Sequence, residues 1–300
     1  MVLTNSRAKY ELLANSALTG TNTSATASIG KASTSTYFPT SNVAFSLRAI
    51  STTATDSLVL NLLTGSATAS AFTAGNAQIE TATAAGTVSA GGLASATVTA
   101  SGLTGSPVTI PFSVTTGDTP TVWAEKARTA LKANAAVAAM FDVGGSATAI
   151  TLTRNPSSKF LHGGSNFNLY YASDSTLNIA LSSGSATGIT AAPTSANTNA
   201  GVASSGMKLF DGDGKDHEGN TLGTIAKIYA ILIEAPTVGT SLSCAYSSLP
   251  GAVGNSTSIR KGSILQIFDG ATASGTLTMA GGGGVSDVTI TIIGELAASA

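Results

Sequence analysis

The chain reads as mainly β, an antiparallel sandwich or jelly roll into which a small α+β domain is inserted, and three observations carry that reading. Short runs rich in β-branched residues recur between Gly, Pro and Asn, the spacing of strands joined by turns. Strand-like segments cluster toward both ends of the sequence, whereas the one clear helical period lies near its middle. Only 10% of the 300 residues are charged, against about 25% in ordinary soluble domains. Mean hydropathy is +0.29 and the net charge −1, the opposite of the low hydropathy and high net charge that keep a chain disordered. Order must therefore come from packing.

Taken from the start, residues 1–43, including TGTNTSATASIGKASTSTYFPTSN, are polar, turn-rich and poor in large apolar groups. This is the composition of an arm that lies on a neighbouring subunit. AFSLRAI (44–50) and DSLVLNLL (56–63) then place apolar residues at strand spacing. A later group has the same character: AKIYAILIEA (226–235), SLSCAYS (241–247), SILQIF (263–268), GTLTMA (275–280) and VSDVTITIIGEL (285–296). Turn signals at short intervals without a helical period favour an antiparallel sandwich or jelly roll over a parallel sheet. Residues 44–77 and 205–300 are thus expected to form one discontinuous β domain.

The block between them, 78–204, is expected to be a separate α+β insert with one main helix. Asp118 and Thr119 supply a capping residue before Pro120, a favoured first helical residue. Trp123, Ala127, Ala130 and Leu131 fall on one face, with Glu125, Lys126, Arg128 and Lys132 on the wet side. Strands are expected at ATVTA (96–100), VTIPFSV (108–114), ATAITLTR (147–154) and STLNIALSS (175–183), and a long loop at 155–171 carries Phe160, Phe167, Tyr170 and Tyr171.

Composition also narrows the chemistry. The 14 basic residues are scattered and offset by 15 acidic ones, so the clustered charge that displaces counterions from nucleic acid is not there. The apolar run 225–233 is broken by Lys227 and falls short of the roughly 20 residues of a membrane helix. The opening MVLTNSRAKYELLANS has no apolar stretch like that of a signal peptide. Cys244 has no second cysteine to pair with and sits in an alternating strand segment, where an inert core thiol is expected.

No nucleophile has its base in view, because the two histidines, His162 and His217, fall in different expected domains. His162 precedes Gly163 and Gly164, which reads as a solvated turn. Gly30-Lys31 is preceded by Ala25 and followed by Ala32, so a phosphate-binding loop fails at both ends. The densest polar cluster is Asp211, Asp213, Asp216, His217, Glu218 and Asn220; Lys215 and Asp216 stand where a calcium loop needs an oxygen ligand and a glycine, so a turn between strands is the expectation. With one Trp in the chain, a glycosidase cleft lined by aromatic platforms is disfavoured. The expectation is no enzyme: no catalytic residue, no cofactor and no metal.

SGLTGSPVTIPFSVTTGDTPTVWAEKARTALKANAAVAAMFDVGGSATAITLTR, followed by STLNIALSSGSATGITAAPTSANTNAGV, resembles a small Ig-like or α+β domain that recurs as an insertion in tailed-bacteriophage structural proteins. DGDGKDHEGNTLGTIAKIYAILIEAP and the closing DVTITIIGEL are similar to phage virion proteins whose β domain ends in a Gly-led hairpin. The loop at 155–171 departs from that pattern. The resemblance implies a virion structural protein, first a head decoration or cement protein and alternatively a tail, fibre or baseplate component. Its implied partners are the major capsid protein and further copies of this chain in a symmetric homo-oligomer such as a trimer, with neither nucleic acid nor membrane.

Overall fold

The computed structural model describes residues 42–53, 55–190, 195–210, 214–215, 221–238, 242–247, 257–259, 262–280 and 284–297. The expected arm lies outside the described residues except for Asn42 and Val43, which open the first strand. In chain order the strands and helices are β1 (Asn42–Ser51), β2 (Ser57–Asn61), β3 (Ala67–Ala69), β4 (Ile79–Thr83), β5 (Gly92–Thr99), β6 (Val108–Val114), α1 (Pro120–Ala133), α2 (Ala135–Met140), β7 (Phe141–Gly144), β8 (Ala149–Arg154), β9 (Ser158–His162), β10 (Ser165–Leu169), β11 (Asn178–Ser182) and β12 (Ala196–Asn199). They continue with β13 (Met207–Phe210), β14 (Ile225–Thr237), β15 (Leu242–Ser247), β16 (Thr257–Ile259), β17 (Gly262–Thr272), β18 (Thr276–Ala280) and β19 (Ser286–Leu296). The chain is mainly β, with antiparallel sheets.

It divides into two compact units. The described residues up to Ala71 and from Gly206 onward form the first, and Phe72–Ser205 the second. The second unit is wider than the 78–204 read from composition, because Thr73 bridges Ser205 and Asn76 bridges Val202. Those backbone pairs draw residues 72–77 into it, a tie that side-chain patterning cannot reveal.

In the first unit, period-2 alternation turns one face of each strand inward. Phe45, Leu47, Leu58, Leu60, Ile231, Ile233, Cys244, Leu277, Met279, Ile290 and Ile292 meet in one buried cluster. Two five-stranded sheets supply it, in the orders β13-β1-β19-β14-β17 and β16-β15-β18-β2-β3. Setting aside the short β3 and β13, the remaining eight strands follow the jelly-roll order, the first beside the last in one sheet and the second beside the seventh in the other. β1 runs against β19 from Asn42↔Glu295 to Ser51↔Ser286 without a register shift, and β14 joins the other side of β19 with bulges. The chain leaves for the second unit after β3 and returns into β13.

The second unit has its own core. A three-stranded sheet, β11-β5-β6, and a four-stranded one, β12-β4-β8-β7, share a buried cluster with α1 that includes Ala96, Val98, Ile150, Leu152 and Ile179. From α1 come Trp123, Ala124, Ala127 and Leu131; Ala130 is only half-buried. Thr119 caps the helix, its side chain accepting from the Val122 N–H, and Pro120 opens the helix. Asp118 instead accepts from the Thr115 N–H and pairs with Lys126. Arg128, expected on the wet side, is half-buried and donates to the Ala147 and Ala149 carbonyls. Trp123 donates its indole N–H to the Gly86 carbonyl at 3.0 Å. Gly86 has φ of 79°, and a Cβ there would stand 2.7 Å from the Thr190 nitrogen, so only glycine fits.

Beside the main helix the insert holds a second, shorter one, α2, because Asn134 ends α1 and at once caps the next turn by accepting from the Val137 N–H. One expectation needs correction. Residues 155–171, read as a loop, contain the β9-β10 hairpin, in which Phe160 stands opposite Phe167 and His162 opposite Ser165. Gly163 and Gly164, both at positive φ, form its turn; Lys159, Asn166 and Asn168 break the apolar alternation of the two strands.

Candidate functional site

Charged groups at core-facing positions are the informative exceptions in a chain this poor in charge. Ile150 and Leu152 on β8 face the core, and strand alternation puts Arg154, the last residue of β8, on the same side. The guanidinium, with 13% of its side-chain surface exposed, lies 4.5 Å over the ring of Tyr171. Its Nη1 stands 3.6 Å from the Asp174 carboxylate, the distance of a charge pair rather than of a hydrogen bond. Its Nε is buried and donates to no described atom.

Asp174 is well supplied with other donors. Its carboxylate already accepts from the Ser101 N–H at 2.6 Å, the Thr176 N–H at 2.9 Å and the Thr176 hydroxyl at 2.7 Å. Burial pushes its pKa up, but the Thr176 and Ser101 hydrogen bonds and the Arg154 charge outweigh burial, and the carboxyl is held below its ordinary value. Gln78, 2% exposed, clamps the same residue's backbone: its amide donates to the Asp174 carbonyl and its Oε1 accepts from the Asp174 N–H. Asp174 is therefore fixed on three sides, and the arginine beside it keeps its donors.

A cavity of about 240 Å³ opens beside Arg154, with Leu103, Met140, Ala139, Pro156 and Tyr171 among its walls. A second concavity, about 650 Å³, runs between α1 and β6 past Leu93, Phe112, Val122 and Lys126. β6 is an edge strand, and Pro111 within it lacks the N–H that an added strand would need.

Several residues singled out by sequence are not brought together. His162 lies at the end of β9, beside the hairpin turn. The cluster Asp211, Asp213, Asp216, His217, Glu218 and Asn220 lies outside the described residues; beside it, Lys215 bridges Thr221. Cys244 is buried, and burial raises its thiol pKa to about 11. Ser195 donates to the buried Glu80 and accepts from the Ile179 N–H at 2.7 Å, a tie between β4 and β11 with no histidine in it. Among the described residues no group of three or more His, Cys, Asp or Glu could hold a metal ion, and no helix is long and apolar enough to cross a membrane.

What sequence reasoning missed is Arg154, although the signal was present: in ITLTR the alternation that buries Ile150 and Leu152 also turns Arg154 inward. Against protein-family models, curated proteins and solved structures alike, the chain has no match.

Proposed function

We propose that this chain is a structural component of a tailed-bacteriophage particle, in the first place a head decoration or cement protein. The observation that carries the reading is the first unit: an eight-stranded jelly roll whose interior is filled by apolar side chains from both sheets, leaving its outer surface for contacts. Jelly rolls serve as capsid, lectin and cupin-type domains; a cupin-like centre needs polar ligands on the inner strand faces, where this unit puts Leu47, Leu60, Ile231 and Ile290. A structural role suits such a packed roll. The second unit, with its own core and both ends meeting at the Thr73–Ser205 bridge, suits a separately folded insert. The likeness of residues 101–154 and 175–202 to a phage insertion domain adds the particle context.

On this reading the partners are the major capsid protein and further copies of the chain in a closed symmetric oligomer such as a trimer. Low surface charge is consistent with subunit contacts, since interface cores are depleted in charge. The second reading, a tail, fibre or baseplate component, is favoured by one feature, the Arg154–Tyr171 cavity in the second unit.

Gold-labelled antibody against the chain, applied to washed particles, separates the readings. Label over the head supports decoration, and label confined to the tail selects the second reading. Particles that lack the chain after washing would overturn both.

A further inference from the structure

We infer that the cavity beside Arg154 is a binding site for a small carboxylate-bearing ligand. The inference concerns the second unit alone and stands whichever part of a particle carries the chain.

Arginine holds five N–H donors in a planar fork that matches a carboxylate. Arg154 is mostly buried, and among the described residues its side chain makes only the 3.6 Å charge pair with Asp174 and the stack on Tyr171. Its Nε is buried with no partner among the described residues, which is unfavourable for a donor, and buried donors in native proteins have partners. The local aspartate gives it only the longer charge pair, its carboxylate being drawn to the Ser101 and Thr176 donors. Arg154 also lines the cavity, from which a further acceptor can approach it.

The walls say what carries that acceptor. Leu103, Met140 and Pro156 offer an apolar face, and Tyr171, 47% exposed, keeps a ring edge at the mouth while Arg154 covers its face. The volume of about 240 Å³ lies just below the roughly 300 Å³ at which drug-sized sites begin, so the occupant is a single small unit. Charge selects a carboxylate over a phosphate. Arg154 and Asp174 together carry no net charge, so a monoanion leaves the site with one negative charge and a dianion leaves it with two, which costs more beside that aspartate. Two sources offer this chemistry, the acidic sugar units of a surface polymer and free small organic acids.

The test uses the full chain labelled with ¹⁵N at arginine and follows the Arg154 Nε–Hε resonance. The titrants are glucuronate, acetate, glucose and inorganic phosphate. A saturable shift with a carboxylate, absent with glucose and weaker with phosphate, is expected. Glucuronate binding about tenfold or more tighter than acetate points to an acidic sugar, and equal binding to a free acid. Arg154→Lys keeps the charge but loses the fork, and weakens binding at least about tenfold. Because Arg154 is mostly buried, Ala139→Phe is the companion variant: residue 139 is exposed on a cavity wall, so the ring closes the mouth while the core stays as it is. No saturable shift with either carboxylate, a response to glucose or phosphate as strong as to glucuronate, or unchanged binding in folded Ala139→Phe would overturn the assignment.

Discussion

The first unit and the second each place an arginine beside an aspartate, and the two pairs are finished differently. In the jelly roll, Arg48 on β1 donates from Nε and Nη2 to the two carboxylate oxygens of Asp287, both at 2.8 Å. In the second unit Arg154 stands off at 3.6 Å from a carboxylate that three other donors hold. The same residue types thus make a cross-strand clasp in one place and an open donor beside a cavity in the other. What decides is the neighbourhood of the aspartate: Asp174 sits beside the Thr176 hydroxyl and the Ser101 N–H, which engage it first. The Arg48 pair closes upon itself, whereas the Arg154 pair leaves the arginine Nε without a partner among the described residues.

The largest effect tests whether the units are as separate as their cores. The two buried clusters share no residue. Trp123→Ala should cost the second unit about 3–5 kcal/mol, and Leu60→Ala the first about 2–5 kcal/mol. Hydrogen exchange read by mass spectrometry should show protection lost in the substituted unit and kept in the other. Equal loss in both units for either variant would join what the packing separates.

A smaller effect sharpens the arginine comparison itself. Arg48→Met removes two charge-assisted hydrogen bonds and leaves Asp287, whose side chain is 11% exposed, without them; the expected cost is about 1.5–3 kcal/mol. Arg154→Met removes a longer pair whose aspartate keeps its other donors, and should cost less than about 1 kcal/mol. Chemical denaturation of the two variants checks this. Equal costs would mean that the Arg154 pair holds the second unit together much as the Arg48 clasp holds the first.

Much of this architecture is legible in the sequence. Alternation in LVLNL, ILIEA and TITIIGEL marks β2, β14 and β19 because one face is buried and the other polar, and the Thr-Pro start with Trp123, Ala127 and Leu131 marks α1. Most of the elements that escaped, β3, β7, β12, β13 and β16, are only three or four residues long, and β4 lies in an Ala- and Thr-rich stretch of small side chains, whereas β9 and β10 form a two-stranded hairpin whose polar residues break the alternation. Pairing across about 130 residues, as at Thr73–Ser205, leaves no local mark on either partner. The site was half legible: the period exposes Arg154 as a charge on a core face, but Asp174 and Tyr171 become its neighbours only through the hairpin, the Gln78 clamp and the fold of the second unit.

The smallest effect concerns acid and salt, where the two units again differ in kind. Asp56 in the first unit and Asp174 in the second both have folded pKa values below their ordinary 3.8. For Asp56, burial pushes upward, and the Thr53 and Thr52 N–H groups with the Thr53 and Ser51 hydroxyls outweigh it. Asp174 is held by comparable hydrogen bonds and in addition by the Arg154 charge. A depressed carboxyl contributes stability that is complete above the unfolded value and is lost as pH falls through the folded one. Both units should therefore hold their stability at neutral pH and weaken below about pH 4. The difference lies in screening, since a hydrogen-bond cradle is insensitive to salt while a charge 3.6 Å away through a partly open site is not wholly so. Carboxyl ¹³C titrations at about 0.1 M and about 1 M salt should leave the Asp56 midpoint in place and move that of Asp174 upward. Arg154→Met should abolish that movement. An Asp174 midpoint that ignores salt, or an Asp56 midpoint that follows it, would show that the Arg154 charge does not act on the aspartate as the open pair requires.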